Sequence, residues 1–171
     1  MPTILSHPAA ALAFWPTFRN KNLSTSIFVA GMIASILPDI DVIGFSFGIH
    51  YSDTFGHRGF THSIFFALLI SFFLALTLRI PRRAYLFLFL CSVSHGILDA
   101  FTNGGLGIAF FSPFSNARYF FPWRPIEVSP IGLSSFISGP VFTVMKSELE
   151  FVWIPCVMIY LCSTLLVRHE G

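Results

Sequence analysis

Long apolar runs separated by short polar turns recur along this chain and restrict the folds open to it. A helix that spans a bilayer needs about 20 mostly apolar residues. Only 11% of the residues are charged and 54% are hydrophobic, whereas a soluble domain carries about a quarter charged residues. The strongest apolar runs cover residues 23–37, 60–78, 84–101 and 149–167. The sequence therefore predicts an all-α integral membrane protein with one domain over residues 1–171.

Shorter segments complete the expected helical bundle. The apolar stretch 9–18 is too short to span a bilayer, so we expect a half-span or an interfacial helix there. Residues 131–145 are predicted to form a partly inserted helix broken by Gly139-Pro140. Aromatic residues, prolines and two arginines alternate irregularly over residues 106–130, which is typical of an aromatic-rich loop at the membrane surface. We expect about four to six membrane-embedded helices, some of them short.

The net charge and the cysteines exclude several classes of protein. A formal net charge of +2 is too weak to indicate a nucleic-acid partner. The cysteines, Cys91, Cys156 and Cys162, are odd in number and lie within apolar runs. They indicate small core residues rather than a disulfide framework or a metal motif. The chain start lacks the basic stretch and the cleavage site of a secretory signal, so Met1 is expected to stay attached.

Three short clusters place His and Asp side chains inside this apolar chain. Polar groups near a bilayer are costly to bury and usually have a function, and imidazole with carboxylate is a common ligand set for zinc and its neighbours. His95 and Asp99 are four residues apart and share one face of a predicted helix. His57 and His62 are five apart, so they are expected to come from a loop and from a first helical turn that Thr61 would cap. The clusters are Asp39 with Asp41, His57 with His62, and His95 with Asp99.

The basic turns indicate how the helices are oriented. Lys and Arg in short loops mark the cytoplasmic side, and turns of this kind follow residues 9–18 and 60–78; they hold Arg19 with Lys21, and Arg79 with Arg82 and Arg83. A helix that starts after His7 descends to the first turn, and the next run returns to Pro38, where a loop over residues 39–59 begins. The other two clusters lie at the same end of their helices. We therefore expect one shared metal site near the membrane face opposite the basic turns.

Each cluster taken alone has a simpler explanation. Asp39 alone would begin a turn. His95 with Asp99 would form a hydrogen-bonded pair within the membrane. His57 with Arg58 would anchor the chain at the lipid headgroups. Several costly groups gathered at one depth favour a shared metal site over these separate explanations.

The aromatic-rich loop supplies candidates for substrate binding. A guanidinium matches the oxygens of phosphate, so Arg118 and Arg124 are candidate phosphate ligands, with surface arginines at headgroup level as the alternative. Glu127 is the only carboxylate in this loop and is a third candidate. His50 and Asp53 lie near the clusters without helical spacing and are expected to be ordinary loop residues.

Three motifs strongly resemble the YdjM family of bacterial inner-membrane proteins, which are described as membrane-bound metal-dependent hydrolases. They are Leu-Pro-Asp-Ile-Asp (37–41), Gly-His-Arg-Gly-Phe-Thr-His-Ser (56–63) and Ser-His-Gly-Ile-Leu-Asp-Ala-Phe-Thr (94–102). The motifs are specific and lie within the first part of the chain, whereas the aromatic loop and the last apolar run match only in general character.

That family is distantly similar to zinc-dependent phospholipase C and the S1/P1 nucleases, which are α-helical enzymes that cleave phosphoester bonds with a cluster of zinc ions. The chain lacks the second His-x-x-x-Glu pair and the processed N-terminal Trp of those enzymes, so one or two ions are expected rather than three. The resemblance implies that Asp99 bridges two ions. The ligands it implies are His7, Asp39, His57 or His62, and His95 with Asp99.

The leading hypothesis is hydrolysis of a lipid phosphate or a lipid-linked phosphate. Zinc, or else manganese, would lower the pKa of a bound water. Asp41 or an unused metal carboxylate would act as general base, and Arg58 would stabilise the charge that develops on phosphate. The alternative is a metal-binding membrane protein without catalysis, such as a transporter or a sensor. An intramembrane metalloprotease is disfavoured because the chain has no His-Glu-x-x-His helix.

Overall fold

The computed structural model describes residues 1–19 and 23–169 of the chain, and Lys21 of the first basic turn lies outside them. The described residues form helices joined by loops, with two isolated β-bridges as their only β pairing. The all-α class predicted from the sequence is therefore confirmed for this part of the chain. The elements are α1 (Pro8–Phe18), α2 (Thr25–Ile36), α3 (Ile64–Leu78), α4 (Arg82–Ala100), α5 (Leu133–Ser138), α6 (Val141–Glu148) and α7 (Ile154–His169), with 3-10 helices over Leu37–Phe47 and Phe60–His62 and a π turn over Leu149–Trp153.

Two helical stretches within the described residues are long and apolar enough to cross a membrane, fewer than the four to six membrane-embedded helices expected. Thr25–Phe47 joins α2 to a 3-10 helix, and Val141–Val167 joins α6, the π turn and α7. The apolar α3 has only 15 residues, because Phe60–His62 forms a separate turn before it. The longer α4 carries arginines, His95 and Asp99, which lower its hydropathy. The residues of the predicted site thus shorten one expected span, α3, and lower the hydropathy of another, α4.

The helix α4 lies at the centre of the bundle and packs against α1, α2 and α3. In its first half, Phe87, Leu88 and Cys91 are fully buried in the main apolar core. In its second half, His95 and Asp99 are buried instead. One helix therefore fills the core at one end of the bundle and supplies site residues at the other.

The helix α1 is short but lies between α4 and α7. It has 11 residues, too few to span a bilayer, with proline in its first turn. Ala9, Ala11 and Ala13 are buried, and such small side chains allow neighbouring helices to approach closely. This packing brings His7, the residue before α1, into the interior with no exposed surface.

The loop expected over residues 39–59 begins later than the sequence suggested. Pro38 ends the α-helical hydrogen bonding of α2, but the chain continues as the 3-10 helix Leu37–Phe47. The fixed φ angle of proline is compatible with the first turn of a new helix, so Pro38 does not end helical structure. The 3-10 helix ends at Gly48, which adopts a left-handed conformation with φ 77°.

Other sequence expectations have mixed outcomes. The break at Gly139-Pro140 separates α5 from α6, as predicted. Cys91 and Cys156 are buried and unpaired, as expected for core residues. The same expectation was wrong for Cys162, because it lies on the exposed side of α7.

A glycine sets the distance between α2 and α4. A Cβ atom at Gly31 would lie 2.3 Å from Cε1 of Phe87, whose ring is fully buried in the core. We expect Gly31→Ala to lower the free energy of unfolding by about 1–3 kcal/mol through overpacking. The measurement is an SDS titration of the purified protein, followed by circular dichroism. Adding Phe87→Leu should restore part of the loss, whereas an unaltered stability of Gly31→Ala would contradict this helix contact.

Candidate metal centre

Four parts of the chain meet at one end of the bundle and bring the predicted ligands together. They are the start of α1, the 3-10 helix after α2, the loop and turn before α3, and the last turns of α4. Every side chain concerned is at most 7% exposed. The side chains are those of His7, Asp39, Asp41, His57, His62, His95 and Asp99.

Four of these side chains point their polar atoms at one another. The Nε2 atoms of His62 and His95 are 3.1 Å apart. Oδ1 of Asp39 lies 3.3 Å from the His95 nitrogen and 3.5 Å from the His62 nitrogen. Oδ2 of Asp99 lies 3.5 Å from the same His62 nitrogen. Residues from three separate elements thus form one compact group of donor atoms.

His7 joins this group from the opposite side. Its ring stacks on that of His95 with centroids 3.7 Å apart, and its Nε2 lies 3.7 Å from Oδ1 of Asp99. Asp99 therefore turns one oxygen towards His7 and the other towards His62. This arrangement is compatible with the bridging role that the family resemblance implies for Asp99.

The outer nitrogens fix how the two central imidazoles are oriented. Nδ1 of His95 lies 2.7 Å from the carbonyl oxygen of Ser35, so this nitrogen must donate. Nδ1 of His62 lies 3.1 Å from the Thr61 hydroxyl oxygen, which accepts from it while donating to Asp41, and 3.1 Å from Oδ2 of Asp41 itself. In the neutral imidazoles, both Nε2 atoms then carry lone pairs that face each other. Such a contact is stable only with a proton or a metal ion between the two rings.

Several buried polar atoms of the group have no hydrogen-bond partner among the described residues. They are both nitrogens of His7 and both carboxylate oxygens of Asp39 and of Asp99. Buried polar atoms are rarely left unpaired, because the loss of hydration is costly. Unpaired imidazole and carboxylate atoms that converge on one place therefore fit a bound cation.

The pKa values of His7 and His62 show which charge state each imidazole favours within the group. Burial lowers the pKa of His7 to about 3, assisted by the neighbouring His95, so His7 stays neutral and able to ligate a metal. Burial also opposes protonation of His62, but the neighbouring carboxylates of Asp39, Asp41 and Asp99 raise its pKa well above the ordinary value. The carboxylates thus favour a positive charge at the His62 position.

The donor atoms divide into two groups that each could hold one ion. In both groups, the three ligand atoms lie within 4.8 Å of one another. The first donor group is His7, His95 and Asp99, and the second donor group is Asp39, His57 and His62. Nitrogen and carboxylate oxygen without thiolate suit zinc and also manganese. The residues present therefore fit one or two divalent ions.

Comparison with known proteins agrees with the resemblance seen in the motifs. The family described as YdjM inner membrane protein matches residues 1–170. The chain belongs to the YdjM family. Inner membrane protein YbcI of Escherichia coli (strain K12) is 39% identical over 160 residues, which cover 91% of this chain and 92% of YbcI. The uncharacterized protein YvsG of Bacillus subtilis (strain 168) is 38% identical over 88 residues, or 47% of this chain and 54% of YvsG.

No solved structure matches the chain. The YdjM match and the similarity to YbcI identify this chain as a membrane protein of that family. The similarity to phospholipase C stays a prediction.

In this YdjM-family chain, Asp41 contacts the imidazoles rather than the centre of the group. Its Oδ1 lies 2.8 Å from Nδ1 of His57, and its Oδ2 accepts hydrogen bonds from the Thr61 hydroxyl at 2.6 Å and the Arg58 amide at 3.2 Å. Carboxylates that bind the outer nitrogen of a histidine ligand fix its tautomer and orientation. The geometry therefore favours an orienting role for Asp41 over the general-base role that the sequence suggested.

The Thr61 hydroxyl is used in this network, so it does not cap α3 as expected. The cap is Ser63, whose hydroxyl oxygen accepts a hydrogen bond from the Phe66 amide at 3.0 Å. Serine is also the better N-cap residue of the two. Thr61 faces the site because its hydroxyl donates a hydrogen bond to Asp41.

Arg58 is fully buried and contacts the protein rather than an open surface. Its Nε lies 3.3 Å from Oδ2 of Asp99, and its Nη atoms donate to the carbonyl oxygens of Gly104 and Leu106 and to the Thr102 hydroxyl. Its backbone has φ 64°, a conformation that side-chain-bearing residues rarely adopt. Strained residues of this kind are often found at functional sites. The sequence suggested that Arg58 stabilises charge on phosphate, whereas the geometry favours a role in orienting the Asp99 carboxylate.

The candidates in the aromatic loop lie in different surroundings. Arg118 donates to the carbonyl oxygens of His57 and Tyr51, both at 3.0 Å, and so cross-links the loops around the site. The guanidinium of Arg124 lies 4.8 Å from the centroid of the Phe120 ring. Glu127 accepts a hydrogen bond from Asn103 at 2.7 Å. Their predicted roles in substrate binding stay predictions, and the geometry gives Arg118 a structural role as well.

Sequence reasoning missed two features that build the centre. The Ser35 carbonyl holds His95, and backbone acceptors leave no signal in residue identity. Gly96 allows the turn before α3 to approach α4, since a Cβ atom there would lie 2.9 Å from the carbonyl oxygen of His62. A glycine directly after the candidate ligand His95 could have indicated, from the sequence, that another segment approaches the helix at this point.

The structural role of the buried Arg58 side chain can be tested by comparing its loss with the loss of the exposed Arg124 side chain. Arg58→Ala leaves Asp99 without its charged neighbour, and removal of one partner from a buried ion pair costs about 3–5 kcal/mol of unfolding free energy. We expect a loss of that size in a reversible SDS titration of the metal-free protein. Arg124→Ala, the exposed control, should leave the unfolding free energy unchanged. Equal stability of the two variants would contradict the role given to Arg58.

Proposed function

We propose that this YdjM-family protein is a membrane-bound metal-dependent hydrolase that cleaves a phosphoester bond of a lipid or lipid-linked substrate. The proposal rests above all on the unpaired buried atoms of His7, Asp39 and Asp99 beside the facing nitrogens of His62 and His95. Groups of this kind are stable in an apolar interior only with cations among them. Divalent ions of the zinc class match the donor atoms.

The two donor groups share contacts that suit a pair of ions acting on one phosphate. Oδ1 of Asp99 faces His7 and its Oδ2 faces His62, so one carboxylate serves both groups. Bound ions of this class lower the pKa of a water ligand and neutralise charge on a phosphoryl oxygen. The chain contributes the shape of the site, the orientation of the ligands and a place for the released proton.

Asp39 is the most exposed of the three carboxylates in the group. Its side chain is 7% exposed, compared with 2% for Asp41 and none for Asp99. Neither of its oxygens has a hydrogen-bond partner in the described part of the chain, whereas both oxygens of Asp41 do. We therefore assign the general-base role to the Asp39 oxygen that does not serve the second donor group, in place of Asp41, because a base must reach the proton that it removes.

Exposed apolar side chains lie close to Asp39 along the chain. Ile40, Ile43 and Phe47 lie on the same 3-10 helix as Asp39 and are 52%, 57% and 79% exposed. In a membrane protein such surfaces face lipid tails or the headgroup boundary. A lipid whose phosphate lies at headgroup depth would reach Asp39 from the side of the bilayer. This arrangement supports a lipid substrate over a soluble phosphate ester.

The depth of the site follows from the helix lengths. His95 lies thirteen residues beyond Arg82 along α4, or about 20 Å at ~1.5 Å per residue. The hydrocarbon core of a bilayer is about 30 Å thick. We propose that α1, α3 and α4 are embedded beside the two candidate spans, with the basic turns in the cytoplasm. The centre would then lie towards the periplasmic face of the inner membrane.

The hydrolase proposal predicts activity that depends on His95. Purified protein in mixed micelles with Zn²⁺ or Mn²⁺ should release phosphate or a phosphorylated headgroup from phosphatidic acid or phosphatidylglycerol. His95→Ala should lower the rate more than about 100-fold, because loss of a ligand exceeds the roughly 10–100-fold effect of outer-shell changes. Circular dichroism would verify that the variant stays folded.

The exposed loop residue His50 supplies the matched control. His50→Ala should retain the full rate. Turnover that survives His95→Ala would refute the assignment. Tight metal binding without hydrolysis of any phospholipid tested would favour the transporter or sensor alternative.

The orientation predicts which loop is open to the periplasm. In a variant without native cysteines, Asn116→Cys in the aromatic loop should react with a membrane-impermeant maleimide in intact cells. Ser24→Cys, at the exposed start of α2, should react only after the membrane is permeabilised. Both residues are exposed, so burial would not hide either thiol. The reverse labelling pattern would place the site on the cytoplasmic side.

A further inference from the structure

A second buried carboxylate lies outside the metal centre and has no part in the proposed hydrolysis. Glu148 ends α6 and is fully buried within the candidate span Val141–Val167. An acidic side chain in an apolar span is costly and is usually retained for a purpose. Its contacts show which part of the chain it holds.

Within residues 1–19 and 23–169, the hydrogen-bond donors to Glu148 come from the first turn of the chain. The Thr3 amide donates to one carboxylate oxygen, and the hydroxyls of Thr3 and Ser6 donate to the other at 2.6 Å each. The Ser6 amide also donates to the Thr3 carbonyl at 2.9 Å, which closes the turn. Hydrogen bonds to a charged acceptor are roughly twice as strong as neutral ones. Glu148 therefore fixes residues 3–6 against α6.

The π turn after Glu148 supplies a second contact to the same serine. The indole Nε1 of Trp153 donates to Ser6 Oγ at 3.0 Å. Residues five apart in a regular α-helix point about 140° away from each other. The wider i→i+5 hydrogen bonding of the π turn Leu149–Trp153 brings Glu148 and Trp153 closer to one face. Ser6 is thus held from both sides.

Ser6 directly precedes His7, which lacks the support that the other central imidazoles have. His95 is held by the Ser35 carbonyl and His62 by Asp41. Neither nitrogen of His7 has a hydrogen-bond partner among the described residues. The orientation of the His7 ring therefore depends on its stacking contact with His95 and on the anchoring of the preceding residue.

We propose that Glu148 is a positioning residue of the metal centre, which fixes His7 through Ser6 and so controls the first donor group. This inference rests on the proposed metal centre, and it assigns a function to a carboxylate far from that centre in the sequence. The second donor group has no contact with this anchor through its own ligands, because Asp41 orients His57 and His62. Loss of Glu148 should therefore affect the two donor groups unequally.

The test is a zinc titration of metal-free protein in detergent, followed by calorimetry. His7→Ala and His57→Ala first identify the binding step that belongs to each donor group. Glu148→Ala should weaken the His7-dependent step about 10–100-fold, the usual effect of losing an outer-shell partner. The His57-dependent step should keep its affinity. Glu150→Ala is the matched control, because Glu150 is an exposed carboxylate two residues away that pairs with Lys146.

Two further variants keep the test decisive if Glu148→Ala does not fold. Ser6→Ala removes one donor to Glu148, keeps both Thr3 contacts in place and should weaken the same step. Glu148→Gln keeps an acceptor for the hydroxyls and should restore part of the affinity lost in Glu148→Ala.

The possible results separate the two proposals. Folded Glu148→Ala or Ser6→Ala that binds zinc like the unaltered protein, or that weakens both steps equally, would overturn the positioning role alone. Unaltered protein that binds no zinc would overturn the metal centre and the positioning role together.

Discussion

The facing nitrogens of His62 and His95 impose the constraint on which the rest of the site depends. Each imidazole donates its Nδ1–H to a fixed acceptor, the Thr61 hydroxyl beside Asp41 or the Ser35 carbonyl, so the lone pairs of two neutral rings meet 3.1 Å apart. A cation between the rings removes the repulsion and also neutralises the carboxylates beside them. The close approach of the two backbones depends on Gly96, where a side chain would collide with His62. The glycine at position 96, the tautomers of the two histidines and the preference for a cation are therefore all conditions for the same His62–His95 contact.

The site also explains the unusual helices of this membrane protein. Polar side chains reduce the hydropathy of α4, and the separate turn Phe60–His62 shortens α3, so only two stretches of the described residues have the length and composition of full spans. Non-helical backbone at membrane depth is tolerated where protein buries it. The short α1, the 3-10 helix and the π turn fit that rule, because each supplies or anchors a residue of the buried centre.

The helical class and the meeting of the clusters could be predicted from the sequence because both depend on the pattern of apolar and charged residues along the chain. Charged groups in apolar runs are rare, and basic turns define which helix ends lie together. The individual roles depend on which atom faces which partner, and spacing does not contain that information. Asp41 and Arg58 lie in the predicted motifs, but their contacts favour orienting neighbours over reacting with substrate. Glu148 was missed because its partners are more than a hundred residues away in the sequence.

X-ray absorption at the zinc edge of the purified, zinc-loaded protein tests the central claim most directly. The account predicts nitrogen and oxygen ligands at about 2.0–2.2 Å with the multiple-scattering pattern of imidazole. His95→Ala should reduce the imidazole contribution. Sulfur ligands at about 2.3 Å, or protein that retains no zinc after purification in a zinc-containing buffer, would contradict it.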